Sequence, residues 1–139
     1  KVTAAFSIPN IGVTGFEADD CLGTIAARMK ETAEVIIVTG DRDILQVLDD
    51  HVSVALLKKG FGNYELQTKE SFINERGYHP RQFIDVKGLT GDTSDYYPGV
   101  RGIGPKTAEK LIREFTSVEH IVESLDLLTP SQRKKLSLI

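Results

Sequence analysis

Seven carboxylates occur at three places in the chain, each at the predicted end of a helix or strand. They are Glu17, Asp19 and Asp20 in the first group, Asp41 and Asp43 in the second, and Asp92 and Asp95 in the third. Carboxylates that converge raise one another's pKa, so a fold tolerates such a cluster chiefly when cations neutralise it. Oxygen ligands suit hard divalent cations. The residue types therefore predict a site for Mg²⁺ or Mn²⁺.

The first two groups each have a second interpretation. Glu17 and Asp20 are three residues apart in a predicted helix and so share a face, but acids also favour a first helical turn because they complement the helix dipole. Asp41 and Asp43 follow the apolar run 35–38. In extended geometry alternate residues face the same way, so both could bind one ion, whereas Asp41 could instead cap the loop.

The third group leads into a glycine-rich segment. Asp92 and Asp95 can also share a direction, although they lie among ordinary turn residues. The stretch 99–108, GVRGIGPKTA, follows. Its glycines let a backbone approach a phosphate, and the N–H groups of the helix that begins at Pro105, with Lys106 and Lys110, offer a phosphate seat. The alternative is a plain helix–turn–helix whose glycines serve tight packing.

Charge is unevenly distributed along the chain. The formal net charge is −3, with about −5 over residues 1–57 and about +2 over residues 58–139. The acidic excess accompanies the predicted metal ligands, and the later part has cations for phosphates. Solvated surface charge is the alternative explanation. Acids and phosphate seat together predict metal-assisted cleavage of a nucleic acid, with little base specificity because phosphate contacts carry none.

The length of 139 residues allows one domain, or one domain with a small appendage. The single Cys21 cannot form an internal disulfide, which fits a reducing, cytoplasmic location. No apolar stretch approaches the roughly 18 residues of a membrane span. The three histidines share no metal-ligand spacing. Because the chain begins with Lys1 rather than Met, we expect it to be an excerpt of a longer protein.

Periodicity and turn residues predict strands with helical connections first and helices alone afterwards. This order predicts a parallel α/β layer that carries a helical module, with a boundary near residue 78. Asp41 and Asp43 then fall at the carboxyl end of a strand, where α/β sheets bind ligands. The predicted elements are a strand or extended lead-in at 8–13, a helix at 17–31, a strand buried on both faces at 33–39, a short helix at 43–48, a buried strand at 52–57, a turn between short strands at 58–67, and helices beginning at Thr68, Pro80, Pro105, Ser117 and Pro130, the last ending at Leu138.

Four segments occur in an order and spacing that match a known family. They are GFEADD at 15–20, TGDRD at 39–43, LTGDTSD at 89–95 and PGVRGIGPKTA at 98–108. From about Ile8 onward the chain resembles the 5′-nuclease family, meaning the 5′–3′ exonuclease domain of bacterial DNA polymerase I and its stand-alone flap-endonuclease relatives.

The resemblance implies a fold and an activity. Residues 1–78 would be the C-terminal portion of a PIN-like α/β nuclease core with a parallel sheet. Residues 79–139 would be a helix–three-turn–helix module, of the helix-hairpin-helix type, that grips duplex DNA. The implied activity is hydrolysis of DNA phosphodiesters at 5′ ends and 5′ flaps with two divalent cations, Mg²⁺ or Mn²⁺, in replication and repair. A polymerase region could be present in the full-length protein.

The resemblance also assigns residues by position. The seven carboxylates resemble the family's catalytic metal-site acids. In relatives a K⁺ ion lies at the hairpin through backbone oxygens, which makes Val100 and Ile103 candidates to hold one. The expected DNA-binding residues are Arg101, Gly102, Ile103, Gly104, Lys106, Thr107 and Lys110.

Two departures from the family pattern leave alternatives open. Tyr96 follows Asp95 where the family usually has Asp-Asn. The family's opening strand and arch, which supply further ligands, are expected before Lys1. The second hypothesis is therefore a non-catalytic duplex-DNA-binding fragment, or a member that lacks the N-terminal metal ligands. A third, a phosphatase acting on small molecules through Asp41 and Asp43, explains neither the hairpin nor the third acidic group.

Overall fold

The computed structural model describes residues 2–137, which divide into two units between Gln67 and Thr68. Helix α3 lies between this division and the boundary predicted at residue 78, which stays a prediction. The first unit contains α1 (Val2–Ala5), α2 (Ala18–Met29), β1 (Val35–Thr39), a 3₁₀ helix (Asp43–Val47), β2 (Val52–Leu57) and β3 (Tyr64–Gln67). The second contains α3 (Lys69–Arg76), a 3₁₀ helix (Pro80–Gln82), α4 (Phe83–Thr90), α5 (Pro105–Phe115), α6 (Val118–Glu123), a 3₁₀ helix (Leu125–Leu127) and α7 (Pro130–Leu136).

The first unit is built on a three-stranded sheet of order β1-β2-β3. Strands β1 and β2 are parallel, with Val35 opposite Val52, which confirms the predicted parallel pair. Strand β3 runs antiparallel to β2, so the sheet is mixed. The reversal is closed by the Lys58 amide, which donates to the Asn63 carbonyl at 2.9 Å across a loop with two glycines. The predicted turn between strands at 58–67 is confirmed.

The prediction that the apolar run of β1 is buried on both faces is wrong. Ile37 is 4% exposed, but Ile36 and Val38, which point the opposite way, are each 62% exposed. Strand β1 is at the edge of the sheet, and only one of its faces is covered by described elements. A continuous β-branched run indicates a strand without saying how many of its faces are covered. Strand β2, in contrast, buries Val54, Ala55 and Leu56 in succession.

The segment 8–13 has no regular secondary structure and leads into α2 without forming a strand. Pro9 lacks the N–H that a sheet ladder needs, and Gly12 weakens a strand, so the extended lead-in is the alternative that forms. Its apolar side chains stay exposed, with Ile11 and Val13 more than half accessible. None of the helices among residues 2–137 is both long and apolar enough to cross a lipid bilayer.

Helix starts in the second unit follow the predicted capping residues. Thr68 Oγ1 accepts from the Ser71 amide at 3.1 Å, and Ser117 Oγ accepts from the His120 amide at 3.2 Å. Pro105 and Pro130 each occupy a first turn, where a missing N–H costs nothing. The helix predicted from Pro80 is divided into a 3₁₀ turn and α4. The last helix ends at Leu136, and Leu138 lies outside the described residues.

The core of the second unit combines an aromatic cluster with the apolar face of α5. Phe72 is fully buried and packs edge-to-face on Tyr78 and Phe83, with ring centroids 5.5 and 5.9 Å away. Helix α5 buries side chains at three- and four-residue steps, which is the pattern of a helix with one apolar face. These are Ala108, Leu111, Ile112 and Phe115.

Thr68→Ala is expected to lower the free energy of unfolding by about 1 kcal/mol, the usual effect of removing an N-cap side chain. The substitution leaves the Ser71 amide without its acceptor, while the core beneath α3 is unchanged. Chemical denaturation measures the loss. Thr68→Ser, which keeps the hydroxyl, is the control and should retain most of the stability. Equal losses in both variants would contradict the capping role.

Candidate functional site

The first acidic group lies where α2 begins. Glu17 is the N-cap residue, with extended backbone (φ −80°, ψ 168°), and a capping box links it to Asp20 in the first turn, so the shared direction of the two side chains stays a prediction. Asp20 lies one turn into the helix, and its Oδ2 accepts from the Glu17 amide at 2.9 Å. The carboxylate returns toward the N-cap because the unpaired amides there attract it. Asp20 thus occupies the first helical turn, where the alternative for this group expects an acid to complement the helix dipole.

The second acidic group forms a tight turn after β1. The Asp41 amide donates to Thr39 Oγ1 at 3.0 Å, and the Asp43 amide donates to Asp41 Oδ1 at 2.9 Å. Arg42, between them, has helical backbone, because the chain turns directly into the 3₁₀ helix. The extended geometry predicted for this pair is therefore wrong, and Asp41 does cap the turn. A carboxylate with one oxygen in a cap keeps acceptor capacity for a cation.

Asp19 shows that these two groups come together. Its pKa is raised above the ordinary value, chiefly by burial and then by the charges of Asp41, Asp43 and Asp20. The structure thus brings Asp20, Asp41 and Asp43, three of the seven predicted carboxylates, close enough to Asp19 to raise its pKa. We call Asp19, Asp20, Asp41 and Asp43 the acidic cluster. Whether Glu17 acts with the cluster stays a prediction.

The acidic cluster has the chemistry of a divalent-cation site. All its donors are carboxylate oxygens, which Mg²⁺ and Mn²⁺ prefer. Burial, and then the charges of its neighbours, disfavour the ionised form of Asp19 and raise its pKa. A bound cation would reverse that effect, because an opposite charge within a few ångströms favours the charged form. The residues present fit a divalent metal.

Asp19→Asn is expected to raise the free energy of unfolding at neutral pH in a metal chelator. A carboxyl whose folded pKa exceeds its unfolded value contributes stability that is complete below the unfolded pKa and is lost as pH rises through the folded pKa. Asp19 has an ordinary value of 3.8, so its contribution is absent at pH 7 and returns on acidification. The variant should therefore gain stability at pH 7 and respond less than wild type to acidification.

Urea unfolding of wild type and variant at pH 7 and pH 4 measures this difference. Glu31→Gln, at an exposed acid just after α2, is the matched loss of charge. An Asp19→Asn protein less stable than wild type at pH 7 would contradict repulsion within the acidic cluster.

Asp92, in the second unit, is held by two neighbours. Lys87 Nζ donates to Oδ2, and the Ser94 amide donates to Oδ1 at 2.9 Å together with the Ser94 hydroxyl. These hydrogen bonds, that of Lys87 first, hold the pKa of Asp92 well below its usual range. The Asp92 and Tyr97 backbones exchange two hydrogen bonds of 2.8 Å, which close the loop. Asp92 is thus a fixed, ionised carboxylate.

Sequence reasoning missed Lys87 as the partner of Asp92. The two are five residues apart on either side of Gly91, outside the helical spacings that predict an ion pair. Its position in the last turn of α4 is the signal that could have indicated a role. Asp95 is exposed in the same loop. The metal-binding and catalytic roles expected of Asp92 and Asp95 stay predictions.

Two glycines let the chain cross itself before the glycine-rich segment. A Cβ placed on Gly99 would lie 2.3 Å from the Gly91 amide nitrogen, and one on Gly91 would lie 2.6 Å from the Pro98 carbonyl carbon. Both glycines have positive φ, of +59° and +76°. For Gly99 the tight-packing alternative is therefore correct. The crossing fixes where the next segment begins, because the Val100 amide donates to the Leu89 carbonyl at 2.8 Å.

Residues 99–104, here called the glycine hairpin, are anchored by two apolar side chains. Val100 and Ile103 are 9% and 4% exposed, and the Ile103 amide donates to the Val100 carbonyl at 3.0 Å. Gly102, between them, is exposed with φ +82°. Gly104 is the N-cap of α5, and a Cβ there would meet nothing within 4 Å. The backbone at this helix start is open to a phosphate.

Three predicted DNA-binding cations lie in the glycine hairpin and in the first turns of α5. Arg101, Lys106 and Lys110 are all exposed, and Thr107 is half-buried beside them. Amides at the start of a helix carry partial positive charge, which adds to that of the side chains. The arrangement suits a backbone phosphate better than a base edge, because it offers charge without a shaped set of donors.

Family models match both parts of the chain. Residues 1–78 match the model described as 5′-3′ exonuclease, N-terminal resolvase-like domain, and residues 78–138 match 5′-3′ exonuclease, C-terminal SAM fold. The predicted architecture, an α/β core followed by a helical module, is confirmed by these matches. The suspected resemblance to 5′ nucleases is confirmed as well.

Individual proteins give the same result. A 5′-3′ exonuclease of Bacillus subtilis is 53% identical over 98% of this chain and 46% of its own length. A DNA polymerase I of Bacillus caldotenax is 43% identical over 97% of this chain and 16% of its own length. A flap endonuclease of bacteriophage T5, solved as a pseudo-enzyme–product complex with DNA and metal ions, superposes with a TM-score of 0.80 at 25% identity, over 98% of this chain and 49% of that one. The chain thus spans half or less of the length of these proteins.

Proposed function

Because the chain belongs to the 5′–3′ exonuclease family, we propose that it is part of a divalent-metal-dependent nuclease. This nuclease hydrolyses DNA phosphodiesters at 5′ ends and 5′ flaps. The observation that carries this proposal is the acidic cluster, in which burial and then the charges of Asp41, Asp43 and Asp20 raise the pKa of Asp19. A soluble domain gains no stability from such crowding, whereas a metal-dependent hydrolase needs it.

We infer that the acidic cluster would hold Mg²⁺ or Mn²⁺. When bound, divalent cations neutralise charge on the scissile phosphodiester and lower the pKa of a water molecule. The chain's own contribution is positioning. Thr39 and the Asp43 amide orient Asp41, and the α2 N-terminus orients Asp20. By the family pattern Glu17, Asp92 and Asp95 are further ligands, a role to be tested by substitution.

The glycine hairpin is the proposed seat for the DNA backbone. The open helix start at Gly104 would receive a phosphate, with Arg101, Lys106 and Lys110 supplying charge and Thr107 a hydroxyl. Gly102 and Ile103 would contribute backbone. We also propose K⁺ as a hairpin ligand through the carbonyls of Val100 and Ile103, as the family pattern implies. Contacts of this kind hold duplex without selecting sequence.

The protein to which the chain contributes could also contain a polymerase. Several relatives carry the name DNA polymerase I, and the chain matches 16% of the length of the one from Bacillus caldotenax. The relative named 5′-3′ exonuclease, of which the chain matches 46%, is more similar, at 53% identity. We therefore propose a stand-alone 5′ nuclease first and an exonuclease domain of a polymerase second. Both have the same substrate, DNA with a 5′ end or a 5′ flap.

A cleavage assay tests the proposal. The purified chain is incubated with a labelled 5′-flap duplex and MgCl₂. A concentration of roughly 5 to 10 mM is enough to fill a carboxylate site. Short 5′ products that disappear with chelator are expected. Binding without products would favour the non-catalytic DNA-binding fragment. Hydrolysis of p-nitrophenyl phosphate without DNA affinity would favour the small-molecule phosphatase. If the chain shows no cleavage and no DNA binding, the proposal is overturned.

A further inference from the structure

The last helix of the second unit, α7, brings a lysine onto the glycine hairpin. Lys135 Nζ donates to the Gly102 carbonyl at 2.9 Å. The lysine stem also lies where a side chain on Gly102 would be, since a Cβ there would come within 3.1 Å of both Cε and Nζ of Lys135. Lys135 therefore contacts the hairpin through its charge and through its stem.

Helix α7 is itself firmly attached, so Lys135 is delivered from a fixed position. Leu136, the next residue, is fully buried. Arg133 Nε donates to the Leu125 carbonyl at 2.9 Å, and its Nη2 donates to the Asp126 carbonyl at 2.8 Å. At the other end Thr129 caps the helix. When a lysine on a fixed helix forms a hydrogen bond, only its side chain loses conformational freedom. A lysine on a mobile segment would lose backbone freedom as well.

Gly102 is the part of the hairpin that the buried side chains do not fix, because those side chains belong to residues on either side of it. Val100 and Ile103 anchor it through buried side chains, whereas Gly102 has no side chain, is exposed and has positive φ. Glycine has the widest choice of backbone conformations, so Gly102 is a position at which the hairpin can easily change shape. The Lys135 hydrogen bond restrains that residue.

We propose that Lys135 is a positioning residue that holds the glycine hairpin in its DNA-binding conformation by binding the Gly102 carbonyl. The inference rests on the proposed function of the hairpin as a phosphate seat. Lys135 acts through Gly102 and not by contact with DNA. Its loss lowers the fraction of molecules with a competent hairpin, and apparent affinity falls by that fraction.

Three variants separate this role from general loss of charge. Lys135→Met keeps an unbranched apolar stem and removes the donor. Lys135→Arg keeps a cationic donor and is expected to restore the hold. Lys134→Met removes the same charge from the adjacent, exposed position of α7 and is the matched control.

Hydrogen exchange reads the hairpin without DNA. The Ile103 amide bonds to the Val100 carbonyl inside the hairpin, and the Val100 amide, bonded to Leu89 on α4, is the internal reference. Lys135→Met is expected to speed exchange at Ile103 about fivefold while Val100 is unchanged. Lys135→Arg and Lys134→Met should match wild type. Wild-type exchange at Ile103 in Lys135→Met would overturn the proposal.

DNA affinity as a function of salt separates positioning from direct contact. Lys135→Met is expected to bind a 5′-flap duplex about fivefold more weakly at every KCl concentration, with an unchanged slope of log K against log salt. A slope reduced by about 0.9 would mean that Lys135 neutralises a phosphate itself, and would overturn the proposal. If wild type binds no DNA, the proposed function fails, while the exchange experiment still decides whether Lys135 holds the hairpin.

Discussion

Asp41→Asn is expected to lower the rate of magnesium-dependent flap cleavage by more than about 100-fold. Substitution of a residue that only hydrogen-bonds a metal ligand already lowers metal affinity or activity about 10–100-fold. The substitution removes charge without removing the hydrogen bond of the turn. Asn keeps an oxygen that can accept from the Asp43 amide, so the turn after β1 should persist. What disappears is one negative charge beside Asp19. Single-turnover cleavage of a labelled 5′-flap duplex measures the effect.

Glu31→Gln is the matched control for this loss of charge. Glu31 is exposed just after α2, in the same unit as the acidic cluster but outside it. The control should cleave at the wild-type rate, and circular dichroism should show that both variants keep the fold. Cleavage by Asp41→Asn at a rate near that of wild type would remove Asp41 from the catalytic machinery.

Gly99→Ala is expected to destabilise the second unit by about 3 kcal/mol or more. The new Cβ would lie 2.3 Å from the Gly91 amide nitrogen and 2.4 Å from the Thr90 carbonyl carbon. Both are backbone atoms, so no flexible side chain can move aside. The residue would also have to keep φ +59°, which costs an L-amino acid further energy. Thermal and urea unfolding measure the loss.

Gly88→Ala is the control, and it should have the opposite sign. Gly88 lies inside α4, its φ is not in the left-handed region, and a Cβ there meets nothing within 4 Å. Alanine in a helix interior is more favourable than glycine by about 0.5–1 kcal/mol, so this variant should be slightly more stable than wild type. A Gly99→Ala protein as stable as Gly88→Ala would contradict the backbone crossing.

Features that depend on neighbouring residues were predictable from the sequence. Thr68, Pro105 and Ser117 each indicate a helix start because a cap or a first-turn proline acts within three residues of itself. The parallel pairing of β1 with β2 also followed from two apolar runs joined by a short helical segment. Helix-start residues and apolar runs, taken in their order along the chain, were enough to predict the α/β core and the helical module.

Features that depend on distant contacts were not predictable. The apolar run of β1 indicates a strand, but only the folded first unit shows that Ile36 and Val38 are left largely exposed by the residues that the structure describes. Asp41 and Asp43 have the spacing of an extended pair, yet the 3₁₀ helix that follows bends the chain between them. The residues still converge on Asp19, because the turn brings their side chains round.

Two lysines illustrate the same limit at the functional residues. Lys87 bonds Asp92 across the end of α4, five residues away. Lys135 bonds Gly102 from a helix 33 residues later. No helical or strand period connects either pair, so composition marks both lysines as surface charges. Only the packed second unit shows that each binds a residue of a predicted site.

Calorimetric titration of the purified chain with Mn²⁺ tests the central claim most directly. If Asp19, Asp20, Asp41 and Asp43 form a cation site, wild type should give a saturable binding isotherm. Asp41→Asn should weaken binding at least about 10-fold, and Glu31→Gln should leave it unchanged. No saturable uptake by wild type, or the same isotherm from all three proteins, would contradict the account.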